Sequence, residues 1–265
     1  MLCCFLTQVA VCMSQPPSKA KPQKQKVSQG MMGNSELVRN LQHLLEKDWP
    51  ASQARFSERL TQNMDFSSSL KLSELHGHLR LLDQKAQQNV PGHSAIDQKK
   101  ALNSAFDRVH HSIVQNIEQS FDDSVEQPRF PLPKVDLEGE SLGLKVYQSF
   151  YQAQQTEMSA KIQGLRTYVR ETLSSTTLMM KKLSVLDQTL EDTIGFPLRS
   201  GFSAVSKVIA KHSQKIEAQL VQNDSQCKNK LLVQFHSELH KLLLAELELR
   251  LQPVQGLIDA FNQEV

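Results

Sequence analysis

The stretch ALNSAFDRVHHSIVQNIEQSF, residues 101–121, decides the fold. Leu102, Phe106, Val109, Ile113, Ile117 and Phe121 recur in it at spacings of three and four. At 3.6 residues per turn those side chains share one helical face, which must find a partner to leave water. Outward from it the pattern returns at Leu183, Leu186, Leu190 and Ile194, and again at Leu231, Phe235, Leu239, Leu242, Leu243, Leu247 and Leu251. The fold class read from this is all-α: an elongated antiparallel helix bundle with coiled-coil-like long helices.

Composition agrees. Aromatics are 6% of the 265 residues and Gly and Pro number 10 each, which disfavours an all-β fold and leaves room for long helices. Hydrophobic residues are 39%, which suits helices sharing narrow seams better than a thick core. A formal net charge of +2 gives no global drive toward nucleic acid or membrane. Cys3, Cys4, Cys12 and Cys227 form neither a disulfide framework nor a metal-ligand spacing, so a reducing cytoplasm is expected. The apolar segment Met1–Met13 lacks the basic start and small-residue cleavage site of a signal peptide and is too short to span a bilayer. Met13, followed by Ser-Gln-Pro-Pro, reads as the translation start.

Four regions follow. Residues 1–33, polar from Ser14 on with Lys19, Lys21, Lys24 and Lys26, are expected to be a disordered tail. Residues 34–126 form an N-terminal helical region. In it Asn34-Ser35 caps a helix carrying Leu37, Val38, Leu41, Leu44 and Leu45, and Asp48-Trp49-Pro50 stops it. A second helix holds Ala54, Phe56 and Leu60, a third Leu72, Leu75, Leu79 and Leu82. Ser94 and Asp97 open a long one from Ala95 to Val125. Residues 127–140 are a linker with Pro128, Pro131 and Pro133, which no helix crosses. Pro128-x-x-Pro131 has polyproline-ligand spacing, though a stiff connector is the preferred reading. Residues 141–265 form a C-terminal long-helix region. Ser174 to Thr177 interrupts it, Gly195-Phe196-Pro197 stops a second helix, Asn223-Asp224 makes a turn, and Pro253 kinks or ends the last helix.

Chemistry is sparse. The sequence has no phosphate-cradling glycine loop, dinucleotide fingerprint or nucleophile elbow. His236 and His240, four apart, can face one metal, but Glu238 is misplaced for a zincin motif and no third ligand is suggested. His76 with His78 and His110 with His111 diverge around their helices. Asp122-Asp123 and Glu246 with Glu248 read as solvated helix charges, since a di-iron bundle needs Glu-x-x-His pairs. No motif in the sequence assigns a base to Cys227, so it reads as a plain cysteine. No catalytic residue, cofactor or metal site is assigned. The expected role is non-enzymatic: a scaffold or adaptor that associates with itself or another protein through Leu239, Leu242, Leu243, Leu247 and Leu251. The alternative is nucleic-acid binding through the lysine arm and the first helices, diluted by Glu58, Asp65 and Glu74.

Two stretches carry a family likeness. Glu36-Leu-Val-Arg-Asn-Leu41 through Ser57-Glu-Arg-Leu60 to Asp65-Phe66, with Glu248-Leu-Arg-Leu-Gln-Pro-Val254 and Gly256-Leu-Ile258, resemble a proteobacterial domain-of-unknown-function family, DUF3348. The resemblance spans Asn34 to Phe261 and brings no catalytic residue. It implies a cytoplasmic accessory with an indirect link to envelope proteins, because members are often encoded beside an OmpA-type protein.

Overall fold

The computed structural model describes residues 35–45, 66–85, 95–135, 143–222 and 225–264. Among them six helices and no strand occur: α1 (Glu36–Leu45), α2 (Phe66–Lys85), α3 (Ala95–Phe121), α4 (Val146–Ser174), α5 (Leu178–Gln222) and α6 (Ser225–Glu264). The tail, the Asp48-Trp49-Pro50 stop, the helix expected around Phe56 and the Asn223-Asp224 turn lie outside the described residues.

An all-α bundle is what the chain forms. Its centre is α3 to α6, each antiparallel to the helix before it. Ser120 and Ser112 on α3 meet Gln154 and Lys161 on α4 in reverse order. Gln155 and Arg170 on α4 meet Phe202 and Asp187 on α5 in the same sense. His212 near the end of α5 meets Glu238 near the start of α6. Helix α6 then runs alongside α4 and against α3, where His110 meets Glu248. Helices α4 and α6 pack together across the middle, which puts α3 and α5 on opposite sides. Outside this core, α1 lies against α5 and α6, and α2 lies antiparallel along the first half of α5.

One buried apolar cluster runs from Leu37 and Leu41 through Ile113 and Ile117 to Leu257 and Phe261. The regions on either side of the proline linker therefore share a core. Phe130, Leu132 and Val135 of that linker also pack on it, and Tyr147 Oη donates to the Pro133 carbonyl at 3.0 Å.

Local signals set several ends. Ser35 Oγ accepts from Val38 N–H at 3.3 Å, capping α1. Ser175 and Thr176 hydroxyls bond back to the Thr172 and Leu173 carbonyls, and Thr177 Oγ1 accepts from Met180 N–H. The Ser/Thr cluster thus ends α4 and starts α5. Helix α3 stops at Phe121, four residues before the expected Val125, because Asp122 Oδ1 takes Ser124 N–H at 2.9 Å in a competing turn.

The expected stop at Gly195-Phe196-Pro197 does not occur, since α5 runs through it for 45 residues. Packing against α4 on both sides of the proline, at Asp187 and at Phe202, holds the two halves in one line and overrides the local signal. Nor does Pro253 end α6: it sits inside the helix, with Leu251, Val254, Leu257 and Ile258 around it buried.

Candidate functional site

The five leucines assigned to partner binding come first. Leu239, Leu242, Leu243, Leu247 and Leu251 are each at most 2% exposed. The chain's own helices cover them, so α6 presents them inward and an outside partner cannot reach them in this fold. Their spacing matches both uses, and only packing separates the two.

The most organised polar feature sits among them. Glu246 stands at 0% exposure in the middle of the bundle. Its apolar neighbours set the reason: in the series Leu239, Leu243, Glu246, Arg250 the spacings are 4, 3 and 4, so helical geometry turns Glu246 inward. The reading of Glu246 as a solvated charge is corrected by this placement. A bare carboxylate there would be prohibitive. It is satisfied instead by Tyr151 Oη at 2.8 Å, Gln155 Nε2 at 2.9 and 3.0 Å, and Arg250 Nε at 2.7 Å. Gln155 Nε2 also reaches the Phe202 carbonyl on α5 at 2.9 Å. Arg250 donates to Ser159 Oγ at 2.8 Å and stacks 3.9 Å over the Phe202 ring. Next to this, Gln154 bonds Ser120 of α3 and Gln152 bonds Ser206 of α5. One polar layer thereby crosses α3, α4, α5 and α6. Burial, then the Glu246 charge, pushes the Tyr151 phenol well above its ordinary range, so it stays a donor.

A second layer joins α4 to α5. Arg166 grips Asp187 at 2.9 and 2.6 Å, while Arg170 donates to Asp187 at 2.7 Å, to Gln188 at 2.6 Å and to Glu191. Burial works against the Arg170 charge, but Asp187 and Glu191 outweigh it and raise its pKa. Sequence reading missed both layers. The signal was present: Gln154, Gln155 and Glu246 occupy core positions of apolar stripes, and Asp187 lies three past Ser184 on an inward line.

The histidines do not converge. His236 Nε2 lies 2.6 Å from Tyr147 Oη, whereas His240 packs edge-on against Phe121. Burial lowers the pKa of both. His110 pairs with Glu248 at 2.9 Å, and His76, His78 and His111 are exposed. Asp122 caps the turn after α3, and Cys227 is exposed. No group of three metal-ligating side chains occurs among the described residues. A cleft of about 190 Å³ between α1, α5 and α6 is lined by His43, His212, Lys215 and Glu238 over Leu44 and Phe235. Burial opposes ionisation of Glu238, but hydrogen bonds from His212 and Gln234 prevail and hold its carboxyl below the ordinary range.

No helix among the described residues is long and apolar enough to cross a membrane. No curated protein and no solved structure matches the chain. One family model does, over residues 23–263, nearly the whole sequence. The chain belongs to the family described as protein of unknown function, DUF3348.

Proposed function

We propose that this protein is a non-enzymatic cytoplasmic scaffold, a stiff helical bundle that holds protein partners along its length. The observation that supports it is the polar layer around Glu246. Its carboxylate oxygens are occupied by donors from Tyr151, Gln155 and Arg250, so the group is built to join helices and not to meet a substrate. A buried polar layer of this kind specifies which helices pair and in which register. Helix α5, at 45 residues, has a contour of about 67 Å; α2 lies along its first half, and its second half leaves Lys207, Lys211 and Lys215 exposed.

The test is capture of the tagged full-length protein from gently lysed, nuclease-treated cells of its source. A protein that stays with the bait in fixed stoichiometry through a second purification supports the scaffold, and the family's gene setting leads us to expect an envelope-associated one. A bait recovered alone and strictly monomeric would sink it.

A further inference from the structure

Two stretches of this bundle carry charge of opposite sign. From Leu198 to Gln222, the second half of α5 carries Arg199, Lys207, Lys211 and Lys215 against one carboxylate, Glu217. Glu217 accepts from Gly143 N–H at 3.1 Å. Lys207, Lys211 and Lys215 follow at intervals of four, so they form one ridge with a rise of about 6 Å per step, and all three are exposed. On the other side, Ser112 to Val135 carries Glu118, Asp122, Asp123 and Glu126 against Arg129 and Lys134. These four carboxylates are exposed, and Arg129 is paired with Glu157 at 2.9 Å.

The two sets stand level along the bundle. His212, within the basic ridge, bonds Glu238 of α6; Phe121, within the acidic set, packs on His240 two residues further on. They point apart, because α4 and α6 lie between α3 and α5. Opposite charge at one height on opposite sides is a head-to-tail arrangement.

We infer that the basic α5 face docks a second copy of this chain through that copy's acidic face, formed by the end of α3 and the strap after it. The inference rests on the scaffold reading and names its partner. A second copy is favoured over nucleic acid because this chain carries both complementary surfaces, while the ridge is lysine without interleaved aromatics. The contact is heterologous: each docked pair keeps one basic and one acidic face unfilled, so copies add in series.

The experiment is sedimentation velocity of the full-length protein at 50 and 500 mM salt, with two variants. K207E/K211E removes the basic face, and D123K/E126K removes the acidic one. Wild type is expected to form a concentration-dependent series at low salt that collapses toward monomer at high salt. Each variant alone is expected to stay monomeric, with the dissociation constant raised at least about tenfold by the reversed charges. Mixed one to one, the variants should associate again, since the intact faces are of opposite sign and the two reversed faces are complementary to each other. Circular dichroism matching wild type excludes misfolding as the cause. A wild type monomeric at 50 mM salt overturns the inference, as does a mixture that stays monomeric. Monomeric wild type that retards nucleic acid through Lys207 and Lys211 would assign the ridge to that ligand instead. A monomer that still captures a stoichiometric partner from cells would leave the scaffold reading standing and this inference refuted.

Discussion

Glu246 shows how one residue changes meaning once it is packed. In sequence it is one of two glutamates two apart; in the bundle it is the acceptor on which Tyr151, Gln155 and Arg250 converge. Replacing Glu246 by Ala would strand the Arg250 charge and two neutral donors in the interior. The expected cost is about 3–5 kcal/mol, the range for breaking a buried ion pair. Chemical denaturation measures it, and a loss under about 1 kcal/mol would show the layer to be dispensable. His236 and His240 supply a pH prediction. Burial lowers both pKa values, so the unfolded chain binds more protons than the folded one as pH falls through the ordinary histidine range. Stability is complete above about pH 6.5 and declines below it. Thermal melts from pH 7.5 to 5.5 should show this decline, and His236→Gln should lessen it. The apolar members of these stripes were legible from spacing; the polar ones were misread, because spacing reports direction around a helix but not what stands opposite.

At the scale of elements, caps were legible and breakers were not. Ser35 and the Ser174–Thr177 cluster act through hydrogen bonds that reach three or four residues, so local sequence contains their whole mechanism. Gly195-Phe196-Pro197 and Pro253 are weak points whose outcome depends on the neighbouring helices, and packing carries α5 and α6 through them. Three glycines separate the local from the tertiary contribution. Gly164 and Gly201 lie in helices with open space where a Cβ would stand. Gly164→Ala and Gly201→Ala should each stabilise by about 0.5–1 kcal/mol through helix propensity alone. Gly143, at φ 61°, should lose about 1 kcal/mol on the same substitution, since only glycine adopts that conformation freely. Melting temperatures of the three variants check it; destabilisation by Gly201→Ala would mean that α5 is not continuous there. Helix α2 belongs here too: Leu75 and Leu82 are turned inward, while Leu70 and Leu81 remain about half exposed.

For the whole molecule the shared core has a direct consequence. Ile113 and Ile117 of α3 are buried in the same cluster as Leu247 and Phe261 of α6. A fragment of residues 141–265, cut at the proline linker, would bare the faces of α4 and α6 that α3 covers. It is expected to lose cooperative unfolding, whereas residues 34–265 should melt in one transition. Calorimetry distinguishes the cases, and a sharp transition for the fragment would make it a folding unit of its own. By itself the sequence determined that this chain is helical, where most helices begin, and which faces are apolar, because those properties arise from periodicity and hydrogen bonds within one turn. Only the tertiary structure decided which stripes are consumed inside the bundle, that Glu246 and Asp187 are interior, that two breakers are overridden and that charges of opposite sign stand on opposite sides. Each of those depends on which helix lies against which, and that pairing is a relation between residues far apart in the chain.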